Sequence, residues 1–418
     1  MRVFALVLIV PAVFALNTPV VRVTDSLISV PFAKRISAGG VKNFADRARA
    51  RSLVEVGKRK AAVRAAKAAG LPIPASDVVT SVPITNFATA YIASVGVGSP
   101  AHQFDLIVDT GSSNTWVGAG GAYVKTSTST QTGNSVSVTY GSGFFSGTEF
   151  TDQVTLASGL VITKQSIGVA SSSTGFDDVD GILGIGPVDL TLDTLSPDTS
   201  TEIPTVTDNL FAQGVITSNL VAVSFEPTTS DEITNGELTF GGTDPTKFTG
   251  DITFTPITGT SPANQFWGID QSIRYGTSTT ILSTTAGIVD TGTTLILLAS
   301  NAFSRYRSAS GAVLDRNTGL LRLSTSQFAN LQSLFFTIGG TTFELTANAQ
   351  AWPRNLNTAI GGTANNVYLI VGDIGTPSGE GLDFINGQTF LERFYSVFDT
   401  DNARVGLATT PFTDATTN

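Results

Sequence analysis

The pentapeptide Ile-Val-Asp-Thr-Gly occurs twice, at 107–111 and at 288–292, with its aspartates 181 positions apart (290 − 109). An isolated aspartate among apolar residues is costly to bury. Two of them in matched surroundings imply that the carboxylates are wanted where they are. Each copy ends a strand-like run, "HQFDLIVDTG" and "TTAGIVDTG", and each is followed by hydroxyl residues, Ser112 and Ser113 or Thr293 and Thr294. The glycine lets the chain bend sharply after the strand, because it has no Cβ to obstruct the turn. The aspartate is then presented at the strand end, within reach of the hydroxyls. Duplication across two halves predicts two similar β units about an approximate two-fold axis. If the units face one another, Asp109 and Asp290 meet on that axis.

The rest of the text supports a mainly β fold. Short runs such as "SVSVTYGSG" alternate polar and apolar residues and are broken by glycine. With 418 residues, 41% hydrophobic and 14% charged, the chain is long enough for more than one core.

What is missing narrows the chemistry. There is no Cys, which excludes a thiolate nucleophile, a disulfide and a Cys metal site. His102 is the only histidine, so a multi-His zinc site is excluded and a Ser-His-Asp triad would have to use it. It follows a Pro turn in "SPAHQFD" and reads as an ordinary surface residue. No metal or cofactor is expected.

Charge divides the chain. Residues 1–76 hold 13 Lys+Arg against 3 Asp+Glu, a net of +10, while 77–418 carry −19. Arg2 and the apolar run "VFALVLIVPAVFA" read as a secretory signal cut after Ala15. The run is too short for a stable membrane span. Residues 16–76 read as a basic propeptide, Ala-rich and helix-favouring up to the linker "GLPIPAS". Its nearest partner is the acidic body of the same chain, not nucleic acid or membrane. The lobes are expected over 77–253 and 254–418, in a secreted monomer.

Two carboxylates in contact cannot both ionise cheaply, so they share one proton across acidic to neutral pH. The charged member can take a proton from water while the protonated one polarises a carbonyl and then protonates a leaving nitrogen. Paired carboxylates also serve glycosidases, though not usually from duplicated Asp-Thr-Gly turns. A binding protein on the same scaffold is a further alternative, and acid proteolysis separates the three.

"VDTGSSNTWV" (108–117), "TYGSG" (139–143), "DGILGIG" (180–186), "VDTGTT" (289–294) and "FYSVFDTDNARVGLA" (394–408) together resemble the pepsin-like aspartic proteases. That family supplies the standard example of a proton-sharing dyad. The resemblance runs in order from about 78 to about 410. It implies a bilobal β fold with the cleft between lobes, and an endopeptidase acting on proteins or peptides in acid. Asp109 and Asp290 would be the dyad. Thr110 and Thr291 would tie each loop to the backbone of the other, with Gly111 and Gly292 in the turns and Ser112 and Thr293 bonded to the outer carboxylate oxygens. "VTYGSGFFSGT" would be a flap. There Tyr140 would hydrogen-bond Trp116, and Gly141 and Ser142 would offer polar groups to substrate. Ile107, Tyr140 and Ile182 would line an apolar pocket at the scissile bond. Family members that accept Lys there carry Asp at the position of Ser142, so no strong Lys preference is expected. Lys67 would be the propeptide cation that pairs with the dyad. Asn386 in "FING" departs from the usual apolar residue, and an amide at that depth needs partners. Ser99-Pro100 matches a position often cis.

Overall fold

The alternation in "HQFDLIVD" is realised as the strand His102–Asp109, with Phe104, Leu106 and Val108 buried on one face. His102 begins it and is exposed. The preceding Ser99-Pro100 peptide is cis. The computed structural model describes residues 28–35 and 90–417, apart from residues 142, 177 and 231. The signal segment, Lys67 and Ser142 therefore lie outside the described residues.

The duplication at 107 and 288 is one of architecture. In the first half, His102–Asp109 runs parallel to Gly181–Gly184. That strand is antiparallel to Trp116–Val117, which is parallel to Leu160–Thr174. In the second half, Thr279–Val289 runs parallel to Phe384–Asn386. That strand is antiparallel to Ile296–Leu298, which is parallel to Val371–Asp373. Strand order and direction match step for step. Registers match too: Val108 lies opposite Leu183, and Val289 opposite Asn386.

A third set of strands closes the molecule. Phe394–Asp399 and Arg404–Thr409 pair with each other, and also with Leu220–Ser224 and Thr249–Pro256 respectively. The last strands of the chain thus join the large sheet that carries the first half.

Ile28–Arg35 lies within the segment that charge assigned to a basic propeptide, with no strand expected there. It forms a strand between Ala90–Val97 and Glu232–Phe240. The reason is local: Val30 and Phe32 are buried on either side of exposed Pro31. The Phe32 ring meets Tyr91 and Phe225 edge-on, each 5.2 Å away. Opposite Phe32 stands Gly236, where a Cβ would lie 2.2 Å from that ring.

Glu149 is a charge-bearing group inside the first lobe. It is 2% exposed, and one carboxyl oxygen accepts a hydrogen bond from Ser166 at 2.6 Å. The other is buried with no partner. Among the described residues no cation pairs with it. Burial pushes its pKa from 4.5 up to about 7, against the Ser166 bond. The folded state thus holds this proton more tightly than the unfolded chain. Its contribution to stability is complete below about pH 4.5 and lost as pH rises through about 7. At 1.36 kcal/mol per pH unit, the penalty is on the order of 3 kcal/mol. Glu149→Gln is expected to leave Tm at pH 4 almost unchanged and to raise it by several degrees at pH 7.5 in thermal scans. Equal shifts at both pH values would contradict this.

Candidate active site

The two Asp-Thr-Gly turns face each other across the pseudo-two-fold axis. Thr110 donates its hydroxyl to the Val289 carbonyl at 3.2 Å and accepts from the Thr291 N–H at 3.0 Å. Thr291 repeats this in reverse, donating to the Val108 carbonyl and accepting from the Thr110 N–H, both at 2.9 Å. Both threonines are fully buried. Four reciprocal bonds therefore lock the strand ends together.

The lock brings the carboxylates against one another. A Cβ on Gly111 would fall 2.7 Å from Asp290 Oδ1, and one on Gly292 would fall 2.4 Å from Asp109 Oδ1. Real Cβ atoms do not come so close, so each turn needs its glycine. Each aspartate also bonds within its own turn. Gly111 N–H donates to Asp109 at 2.9 Å, and Gly292 N–H donates to Asp290 at 2.8 Å. Ser112 donates to the outer oxygen of Asp109, and Thr293 to that of Asp290 at 2.6 Å. Asp109 and Asp290 are 7% and 3% exposed. Burial first, and the Asp290 charge second, push the Asp109 pKa up to about 7, while Ser112 and Gly111 oppose the rise. The pair therefore keeps a proton through the acidic range.

The strands behind the turns hold them from both sides. Ile185 N–H donates to the Asp109 carbonyl at 2.8 Å, and Asp290 N–H donates to the Asn386 carbonyl at 3.1 Å. The buried Trp267 indole N–H crosses between halves to the Ile185 carbonyl at 3.1 Å.

Asn386 has its partner. Its amide donates to Gln271 Oε1 at 2.8 Å, and the Gln271 amide returns a bond at 3.2 Å. Both residues are wholly buried.

Over the dyad stands the hairpin of Thr130–Tyr140 and Gly143–Ala157, with Tyr140 opposite Gly143 at its tip. The cleft is lined by Ile107, Tyr140, Phe176 and Ile182 together with both aspartates, and encloses about 440 Å³ including its open mouth. Gly141 also lines it. Burial and the Asp109 charge hold the Tyr140 phenol well above its ordinary value, so it stays neutral.

The expected Tyr140–Trp116 contact is made, but without the length and angle of an ordinary hydrogen bond. Both the hydroxyl and the indole N–H are buried without a partner of normal geometry. Ring packing sets the indole instead. Trp116 stacks on Phe145 at 4.3 Å and meets the edge of Phe176 at 4.9 Å, while Tyr140 lies 6.4 Å away. Phe176 also meets Tyr140 edge-on at 5.4 Å. Sequence reasoning missed Phe176 and Trp267. The only hint of Phe176 was an aromatic in the turn before "DGILG".

The eukaryotic aspartyl protease family matches residues 90–410. Polyporopepsin of Irpex lacteus is 73% identical over 338 residues, covering 81% of this chain and 99% of that protein. Rhizopuspepsin-1 of Rhizopus niveus is 32% identical over 91% of this chain and 92% of its own length. The crystal structure of the aspartic proteinase from Irpex lacteus superposes with a TM-score of 0.78 at 74% identity, covering 79% of this chain and 96% of that one. Family match and site geometry agree: this chain belongs to the pepsin-like aspartic proteases and is an endopeptidase that hydrolyses peptide bonds in acid.

Proposed function

We propose that the chain is made as a secreted zymogen, and that the mature enzyme cleaves beside apolar side chains with a water activated between Asp109 and Asp290. The observation that supports the catalytic part of this reading is the reciprocal placement of the carboxylates, each against the glycine of the other's turn. The zymogen and secretion rest on the charge split and the N-terminal apolar run. In the reaction, the ionised carboxylate takes a proton from water as its oxygen attacks the peptide carbonyl carbon. The protonated carboxylate gives its proton to the carbonyl oxygen. The tetrahedral species then collapses, a proton passes to nitrogen, and the C–N bond breaks. No covalent enzyme intermediate is needed. Both carboxylates come from one polypeptide, so a monomer completes the site. Tyr140 and Gly141 close over substrate, while Ile107, Ile182 and Phe176 offer apolar surface to its side chains.

The mature unit begins near residue 77, with lobes over 77–253 and 254–418. Residues 81–83 repeat the Ser-Val-Pro of 29–31. The slot held by Ile28–Arg35 is thus one that a mature N-terminal segment of similar wording can fill after residues 16–76 are cut away. Lys67 is the cation assigned to the dyad, on charge and on the family resemblance. An ammonium there keeps both carboxylates ionised, and the contact weakens as falling pH protonates them. No helix among the described residues is long and apolar enough to cross a membrane.

Acidifying the full chain and sequencing the new N-termini tests this. An active species beginning near residue 77 is expected, with activation of Lys67→Ala at a higher pH than wild type. Full activity of the uncut chain at neutral pH would overturn the zymogen reading.

A further inference from the structure

The two halves match in strand order and register, but one buried pair breaks the symmetry. Val289 lies opposite Asn386, as Val108 lies opposite Leu183. Four residues before Val289, Thr285 lies opposite Gln271; four residues before Val108, Phe104 lies opposite Val95. The two-fold therefore relates Asn386 to Leu183 and Gln271 to Val95. Leu183 and Val95 are fully buried and apolar, as such positions usually are. Asn386 and Gln271 are equally buried, yet each carries an amide.

Burying two amides costs more than burying Leu and Val unless they are paired. These are paired reciprocally, at 2.8 and 3.2 Å, across strands whose residues lie 115 positions apart in sequence. A reciprocal amide pair has one geometry, whereas an apolar contact tolerates sliding. What it fixes is the short strand Phe384–Asn386. That strand and the residue Gln388 just after it make three hydrogen bonds with the Asp290 turn. The Asn386 carbonyl accepts the Asp290 N–H at 3.1 Å. Just beyond, the Gln388 side-chain amide donates to the Thr291 carbonyl at 2.7 Å, and its backbone N–H donates to the Thr293 carbonyl at 2.8 Å.

We propose that Gln271 and Asn386 are positioning residues for Asp290, a buried amide latch that fixes the strand on which its turn hangs. The latch touches neither substrate nor water. It sets where the carboxylate stands relative to Asp109, and a displacement near 1 Å can cost about 100-fold in rate. This rests on Asp290 being half of the dyad, so Asp290→Asn is carried as a control.

The test uses the mature enzyme, with kcat and KM measured at a temperature where circular dichroism shows every variant folded. Gln271→Leu leaves the Asn386 amide unpaired, and kcat is expected to fall by about 10- to 100-fold with KM little changed. Gln271→Glu is nearly isosteric. While protonated it donates to Asn386 Oδ1 and accepts from its amide, so it folds in acid and keeps near wild-type kcat there. Burial pushes such a carboxyl up, as it does Glu149, so the variant stays protonated through the acidic range. Its rescue of kcat against the loss in Gln271→Leu is the readout that a merely structural pair would not give. Wild-type kcat in both folded variants, with only Tm lowered, would make the pair a core feature and overturn the proposal. Activity in Asp290→Asn would overturn the dyad itself instead.

Discussion

Asp290→Asn and Asp109→Asn are each expected to lower kcat/KM for a peptide in acid by roughly 10⁴-fold, the upper range for loss of a general acid or base. An amide has about the same size as a carboxyl, so the grip of Thr110 and Thr291 is untouched. The amide oxygen still accepts from Gly292 N–H, as the Asp290 carboxylate does at 2.8 Å, and the new NH₂ can donate to the Thr293 oxygen. What disappears is the shared proton. Asn can neither take a proton from water nor hold one for the carbonyl. Because the pair carries one charge in acid, Tm there should be unchanged, and Asp109→Asn should raise it toward pH 7, where ionisation of the second buried carboxyl costs stability. Near wild-type turnover in either variant, measured on fully processed enzyme, would mean that the chemistry lies elsewhere.

Gly292→Ala tests the geometry rather than the titration. Its Cβ would sit 2.4 Å from Asp109 Oδ1 and 3.2 Å from Asp290 Oδ1. Neither oxygen ends a flexible side chain, because each is held by hydrogen bonds within its turn. One methyl group must therefore push the carboxylates apart and fill the space where a water would stand between them. A fall in kcat/KM of more than about 100-fold is expected from such a displacement, with a modest drop in Tm. Retained activity would show that the carboxylates need not be this close.

The parts of this site that were legible in sequence are local ones. Asp109, Thr110, Gly111 and Ser112 are consecutive, and the second set repeats them, so the turn chemistry could be read from two short windows. The two-fold could be inferred because a repeat is itself a statement about architecture. Long-range pairings were not legible. Asn386 stood out as a misfit, but nothing near it pointed to Gln271 on another strand. Trp267 gives no local sign that its indole reaches Ile185. Phe176 belongs to the cleft only because the chain bends back after the strand Leu160–Thr174. The strand Ile28–Arg35 was hidden for another reason. Net charge over 76 residues outweighed a burial alternation only a few residues long, and Val30 and Phe32 decide the local structure. The Tyr140–Trp116 contact was legible as a pairing, but its geometry was not, because the packing of Phe145 and Phe176 against the indole comes from distant positions in the chain.

The central claim is that two carboxylates share one proton between the lobes. Its most direct test is the pH dependence of kcat/KM, which reports ionisations of the free enzyme. The mature Glu149→Gln enzyme suits the measurement, because it removes a further buried carboxyl that would ionise near pH 7, in the same range as the dyad. A peptide substrate without titrating groups completes the design. The profile is predicted to be bell-shaped. Its upper limb should lie well above the ordinary carboxylate range, toward the value of about 7 to which burial and Asp290 push Asp109. A rate that keeps rising through pH 8, or the same profile and height in Asp109→Asn, would contradict the account.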